Sequence, residues 1–223
     1  MKNFFLISLV SLSLFSAACT KQVGSPQRQA EISSKITGYE QQLKTYASSV
    51  KEFSSQAQDI QSMDPAVMFA FAHSLVVSGD YDQAVFWYYL AQFRSIVLYN
   101  SVSTDMIVDN DYFSKAYTES GLAGMPYIIG TVSKQMLYRS IMQTFGISIT
   151  QIGIKNTKNT AELICAALNY ENKHPFNVAK AATGAETANI LVINSHKKRV
   201  KKALLEFVKD LQQGTLGKKQ YLK

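Results

Sequence analysis

The chain has 223 residues and a formal net charge of +7. Hydrophobic residues make up 47% and charged residues 17%, which excludes an intrinsically disordered chain and gives one domain enough apolar material for a core. Nine basic and two acidic residues between Asn194 and Lys223 account for the whole net charge. The basicity therefore belongs to the C-terminal region and, with no nucleic-acid motif in the sequence, does not point to nucleic acid.

In chain order, Met1-Lys2-Asn3 is a short positive start, and Phe4 to Phe15 is apolar with interspersed serines. Small residues follow as Ser16-Ala17-Ala18, then Cys19. This is the pattern of a secretory signal over residues 1–18, too short for an ordinary transmembrane helix. A cysteine directly after Ala-Ala resembles the bacterial lipobox, although Ser16 stands where the usual leucine would be. The resemblance implies a lipoprotein whose Cys19 is lipidated and becomes the mature N-terminus. With Thr20 and no aspartate after it, it also implies the outer membrane, facing the periplasm. On that reading Cys165 has no disulfide partner. Within the apolar run Ala161–Leu168 it is expected to be a buried, inert thiol.

Residues 19–27 read as a tether, with Gly24-Ser25-Pro26 inside it. Residues 28–63 carry a sustained heptad stripe: Ile32, Ile36, Tyr39, Leu43, Tyr46, Val50, Phe53, Ala57 and Ile60. One long amphipathic helix is expected, seated on its own domain or paired with a partner helix. Asp64 and Pro65 supply an N-cap and a first helical residue for the next helix.

Residues 64–216 are expected to form an all-α helical domain. Its organising stretch is Pro65 to Tyr99, where two helical patterns meet at Ser78-Gly79-Asp80. Gly79 admits positive φ and Asp80 can cap the second helix, so a tight helical hairpin is expected. Gly79-Asp80-Tyr81-Asp82-Gln83-Ala84, followed by Tyr88 and Ala91, resembles one tetratricopeptide repeat. That resemblance implies a helical fold and a protein-binding tendency, with no reaction attached. Within Trp87-Tyr88-Tyr89, Trp87 is expected in the core and Tyr89 is the candidate exposed contact.

Asn100 to Asp111 reads as a solvated loop, because Asp109-Asn110-Asp111 lacks the glycine and closing glutamate of a calcium loop. A short helix over Tyr112–Thr118, a break at Gly121–Pro126, and a helix over Tyr127–Phe145 closed by Gly146 are expected. Ile147–Gly153 reads as an apolar connector. Asn159-Thr160 is expected to cap the next helix, which ends at His174-Pro175-Phe176. Asn177–Asn194 is alanine-rich and expected to be helical. The Asn156–Phe176 pattern, with Ala84–Arg94, also resembles small uncharacterised bacterial envelope proteins, which implies no activity.

Ser195–Gln213 is expected as a helix stopped by Gly214, with residues 217–223 a basic tail. Val200, Leu204, Phe207 and Leu211 form its apolar stripe. Lys197, Lys198, Lys201 and Lys202 occupy another sector and are candidates for contact with a partner protein or an anionic surface.

No HExxH, GxSxG, phosphate loop or CxxC is present. His73, His174 and His196 have no metal-like spacing. Asp80 and Asp82 are better read as cap and turn residue than as paired catalytic carboxylates. No catalytic residue, metal or cofactor is expected. The leading expectation is a non-enzymatic, lipid-anchored envelope protein that binds another protein through its helical-repeat-like body. The alternatives are a periplasmic immunity or inhibitor protein against a secreted toxin, and a hydrolase with an unrecognised site.

Overall fold

The computed structural model describes residue 19 and residues 26–102, 107–109, 131–182 and 185–215. The signal sequence, Thr20 to Ser25 of the tether, the Tyr112–Thr118 helix, the Gly121–Pro126 break and the 217–223 tail lie outside the described residues. So do Asp105, Asn110 and Asp111 of the solvated loop.

At the centre stands the helical hairpin. Helix α2 (Pro65–Ser78) starts where expected, with Asp64 accepting from the Ala66 N–H and Pro65 in the first turn. It ends at Gly79 in the left-handed region (φ 86°), a conformation that a Cβ would strain. Asp80 then caps α3 (Tyr81–Ser101) by accepting from the Gln83 N–H. α2 and α3 bury far more than one stripe each. Between Gln83 and Leu98 every residue of α3 except Gln92 is buried. A helix apolar nearly all round has to be enclosed nearly all round. α3 is packed by α2, by α4 (Lys134–Lys155), by α5 (Thr157–Lys173), by the short α6 (Val178–Ala181) and by α7 (Ile190–Gln213).

The described residues form an all-α fold. Its one extended ribbon pairs β1 (Ile107–Asp109) antiparallel with β2 (Thr131–Ser133), Val108 opposite Val132. This ribbon replaces part of the expected solvated loop and residues 131–133 of the helix expected over Tyr127–Phe145. Three-residue strands carry too few alternating side chains to be read from the sequence.

Several boundaries differ from expectation. The long 28–63 helix is α1 (Pro26–Ser49), followed by a 3-10 helix (Lys51–Gln56) and turns. Its heptad stripe reports burial rather than backbone. Leu43, Ala47, Val50, Phe53, Ala57 and Ile60 are all buried in this chain's own core, although the helix breaks at extended Val50. Gly146 does not end α4, and the Ile147–Gly153 connector is helical. A Cβ at Gly146 would lie 2.5 Å from the Tyr88 hydroxyl, and one at Gly153 would lie 3.1 Å from Thr160. Both glycines are notches for neighbouring side chains. The cap of α5 is Asn156, which accepts from the Asn159 N–H, rather than Asn159-Thr160. Among the described residues of Asn177–Asn194, only the four-residue α6 precedes the bridge of Thr187 to Val102. Asn189 then caps α7, which begins at Ile190 rather than Ser195 and ends at left-handed Gly214.

Ala84 and Ala91 are fully buried on the face of α3 read as the helix contact. Ala84→Leu or Ala91→Leu should destabilise by about 1–3 kcal/mol through overpacking, read from thermal or urea unfolding. Asp59, bonded by Lys180 and Ser62, has its carboxyl held down at about 2, chiefly by Lys180. A depressed carboxylate adds stability above the ordinary carboxylate range and loses it as pH falls from about 4 through 2. Lys180→Gln should move the Asp59 midpoint up in an NMR titration. An unmoved midpoint would contradict the pairing.

Candidate functional site

Helices α1, α5 and α7 enclose a groove of about 1130 Å³. This is at or above the usual size of a ligand pocket. α5 packs against both α1 and α7 and forms the floor, contributing Glu162, Cys165, Ala166 and Asn169 to Lys173. One wall is α1, with Ile32, Ser33, Ile36, Thr37 and Glu40. The other is α7, with Leu191, Asn194, Ser195, Lys197, Lys198 and Lys201. His174 and Pro175 close one end, and Cys19 and Phe93 also reach the lining.

Three of the four singled-out lysines therefore share one wall. Their environments differ. Lys197 donates to the Phe176 carbonyl at 2.9 Å and sits 3.8 Å from Glu171. Lys201 donates to Asn172 Oδ1 at 3.2 Å. Burial lowers the pKa of both, and for Lys197 nearby Glu171 opposes that shift. Lys198 is exposed on the groove. Lys202 is exposed and does not line it.

Two of the three carboxylates on the lining, Glu162 and Glu171, are paired with arginines. Glu162 accepts from Arg28 Nε at 3.2 Å. Glu40 lies 4.0 Å from His174 Nε2 and close enough to the Tyr170 hydroxyl to act on it. Burial first, and then that carboxylate, push the Tyr170 hydroxyl pKa up, and its ring stacks on His174 at 4.5 Å. Glu171 is held by Arg94, a contact that sequence reasoning missed. Arg94 is fully buried. It donates to Glu171 at 2.8 Å, to the Ile60 carbonyl at 2.5 Å and to the His174 carbonyl at 2.9 Å, and lies over the Phe176 ring. The signal available was a single charge inside an otherwise apolar helical run, which requires an opposite charge elsewhere in the core.

Tyr89, the candidate exposed contact, is buried. Its ring meets Tyr88 at 5.2 Å and Phe207 at 5.9 Å, and burial raises its pKa. Tyr89 is covered rather than exposed because another element, the C-terminal helix α7, packs Phe207 over it. Trp87 is in the core as expected. Asp80 is the cap, and Asp82 accepts from Asn159 Nδ2 at 2.7 Å, so neither carboxylate pairs with the other for chemistry. His73 packs against Phe145.

Cys165 is not an isolated thiol. It forms a disulfide with Cys19, the Cα atoms 5.7 Å apart and 146 residues apart in sequence. Sequence reasoning gave Cys19 to a lipid and so left Cys165 without a partner. One sulfur cannot carry both bonds, and a chain holds one or the other.

Among the described residues no group of three or more His, Cys, Asp or Glu could hold a metal ion, and no helix is long and apolar enough to cross a membrane. No known protein family, curated protein or solved structure matches this chain.

Proposed function

We propose that this chain is a non-enzymatic protein of the bacterial envelope that binds another protein through the groove between α1, α5 and α7. One observation carries the reading. Lys197, Lys198 and Lys201 meet on one groove, two of whose three carboxylates, Glu162 and Glu171, are paired with Arg28 and Arg94. The groove is left with surplus positive charge beside apolar Ile36, Ala166 and Leu191. A surplus of one charge around an apolar strip is the composition of a recognition surface. Placing a photoreactive amino acid at position 198 in cells should give a discrete protein adduct that weakens with salt. The same probe at Val77, exposed and outside the groove lining, should not. Equal labelling from both positions, or none from 198, would overturn the proposal.

The envelope address belongs to the same reading. Ser16-Ala17-Ala18-Cys19 supports export, and lipid attachment at Cys19 would hold the chain at the outer membrane facing the periplasm. A lipid-anchored chain then carries Cys165 as a thiol, and a chain cut after Ala18 without lipid carries the disulfide. Uptake of labelled fatty acid reports the first state and altered non-reducing mobility the second. An envelope-located chain showing neither would overturn both.

A further inference from the structure

We propose that the occupant of the groove is an extended acidic peptide segment of the partner protein, with acidic and apolar residues alternating along it. This rests on the protein-binding reading above and specifies its ligand.

Three observations point to an extended backbone. First, the exposed hydroxyls on α1 that face elsewhere bond back to their own helix: Ser34, Thr45, Ser48 and Ser49 donate to carbonyls three or four residues earlier. Among the described residues, Ser33 and Thr37, on the groove, make no such bond, and neither do Asn169, Asn194 and Ser195 make any side-chain hydrogen bond. Both walls and the floor therefore offer unused donors and acceptors. An amide side chain pairs with a peptide N–H and C=O together, and an extended segment presents both, whereas a helix has already paired its own. An acyl chain would leave these polar groups unmatched.

Second, the spacing fits. Lys198 and Lys201 are three residues apart on α7, about 5–6 Å between side-chain origins. Alternate residues of an extended chain lie about 6.6 Å apart on one side. A segment with acidic residues at every second position would set them against this wall. Its intervening side chains would face Ile36 on α1. From Leu191 to Lys201 the wall runs about 15 Å, room for about five extended residues.

Third, the charge is available. Lys173 and Lys198 are exposed on the groove, and neither has a side-chain hydrogen bond or ion pair among the described residues. Of the lining carboxylates, Glu162 and Glu171 are already paired with Arg28 and Arg94, so four lysines on the groove outnumber the remaining Glu40.

The test is selection of random ten-residue peptides on the disulfide-bonded protein lacking the signal sequence, followed by fluorescence anisotropy on the enriched peptides. The expected pool is acidic with a period of two. Lys173→Glu with Lys198→Glu should weaken these peptides about tenfold at low salt, and Asn194→Leu about fivefold, with the circular dichroism unchanged. Enrichment at helical spacing, a pool without acidic bias, or equal affinity for the charge-reversed variant would overturn the proposal. So would salt-sensitive co-sedimentation with phosphatidylglycerol vesicles that the selected peptides do not inhibit, because the groove would then serve a lipid. A specific adduct from position 198 to a partner segment that is basic or helical would leave protein binding intact and remove only the extended acidic ligand.

Discussion

Arg94→Ala should cost about 3–5 kcal/mol in urea unfolding, the largest effect expected from any one side chain here. The guanidinium is fully buried and joins four parts of the molecule: its own helix α3, Glu171 on α5, the Ile60 carbonyl after the 3-10 helix and the His174 carbonyl beyond α5. Removing it leaves the Glu171 carboxylate buried with only the Phe176 N–H at 2.7 Å and the Lys197 ammonium at 3.8 Å. Most of the loss is that uncompensated charge. Arg94→Met combined with Glu171→Leu should therefore be markedly milder than Arg94→Ala. If Arg94→Ala costs no more than an ordinary surface change, the buried pair is misassigned. Arg94 also reaches the groove indirectly, because Lys197 is bonded to the Phe176 carbonyl beside it.

Cys165→Ala should cost about 2–5 kcal/mol in the unlipidated chain, because the bond to Cys19 closes a long loop, the two cysteines being 146 residues apart. Reduction should lower wild-type stability by a similar amount and leave Cys165→Ala unchanged. In a lipid-anchored chain the expectation reverses. Cys165 is then a small apolar side chain, 2% exposed, and alanine there costs only the lost packing. Thiol alkylation after unfolding separates the two states, since only the lipidated chain presents a reactive Cys165. If the soluble chain unfolds identically with and without reductant, the disulfide does not form.

What the sequence disclosed best was whatever local chemistry decides. The hairpin at Gly79, the caps at Asp64 and Asp80 and the stop at Gly214 depend on one or two residues each. The stripe through Ile32 to Ile60 located buried positions correctly and misjudged the backbone under them, because a 3-10 turn can keep the same residues facing inward. Gly146 and Gly153 look like helix stops in one dimension. Only Tyr88 and Thr160, brought against them from other helices, show why a missing side chain is needed there. The groove was half legible. The lysine cluster on α7 is a sequence pattern, but the wall opposite it comes from a helix about 160 residues earlier. Tyr89 was misplaced for the same reason, since nothing within α3 tells how many neighbours will cover it.

The enclosure of α3 also bears on how such a protein can change over generations. Between Gln83 and Leu98 nearly every position contacts another helix, so almost any replacement disturbs packing and most are expected to be removed by selection. α7 has the opposite character. One side is pinned by Val200, Leu204, Val208 and Leu211, while Lys198, Arg199 and Lys202 face solvent. Related chains are thus expected to share the sequence of α3 and to diverge on the outer side of α7. New binding preferences can accumulate there without putting the scaffold at risk.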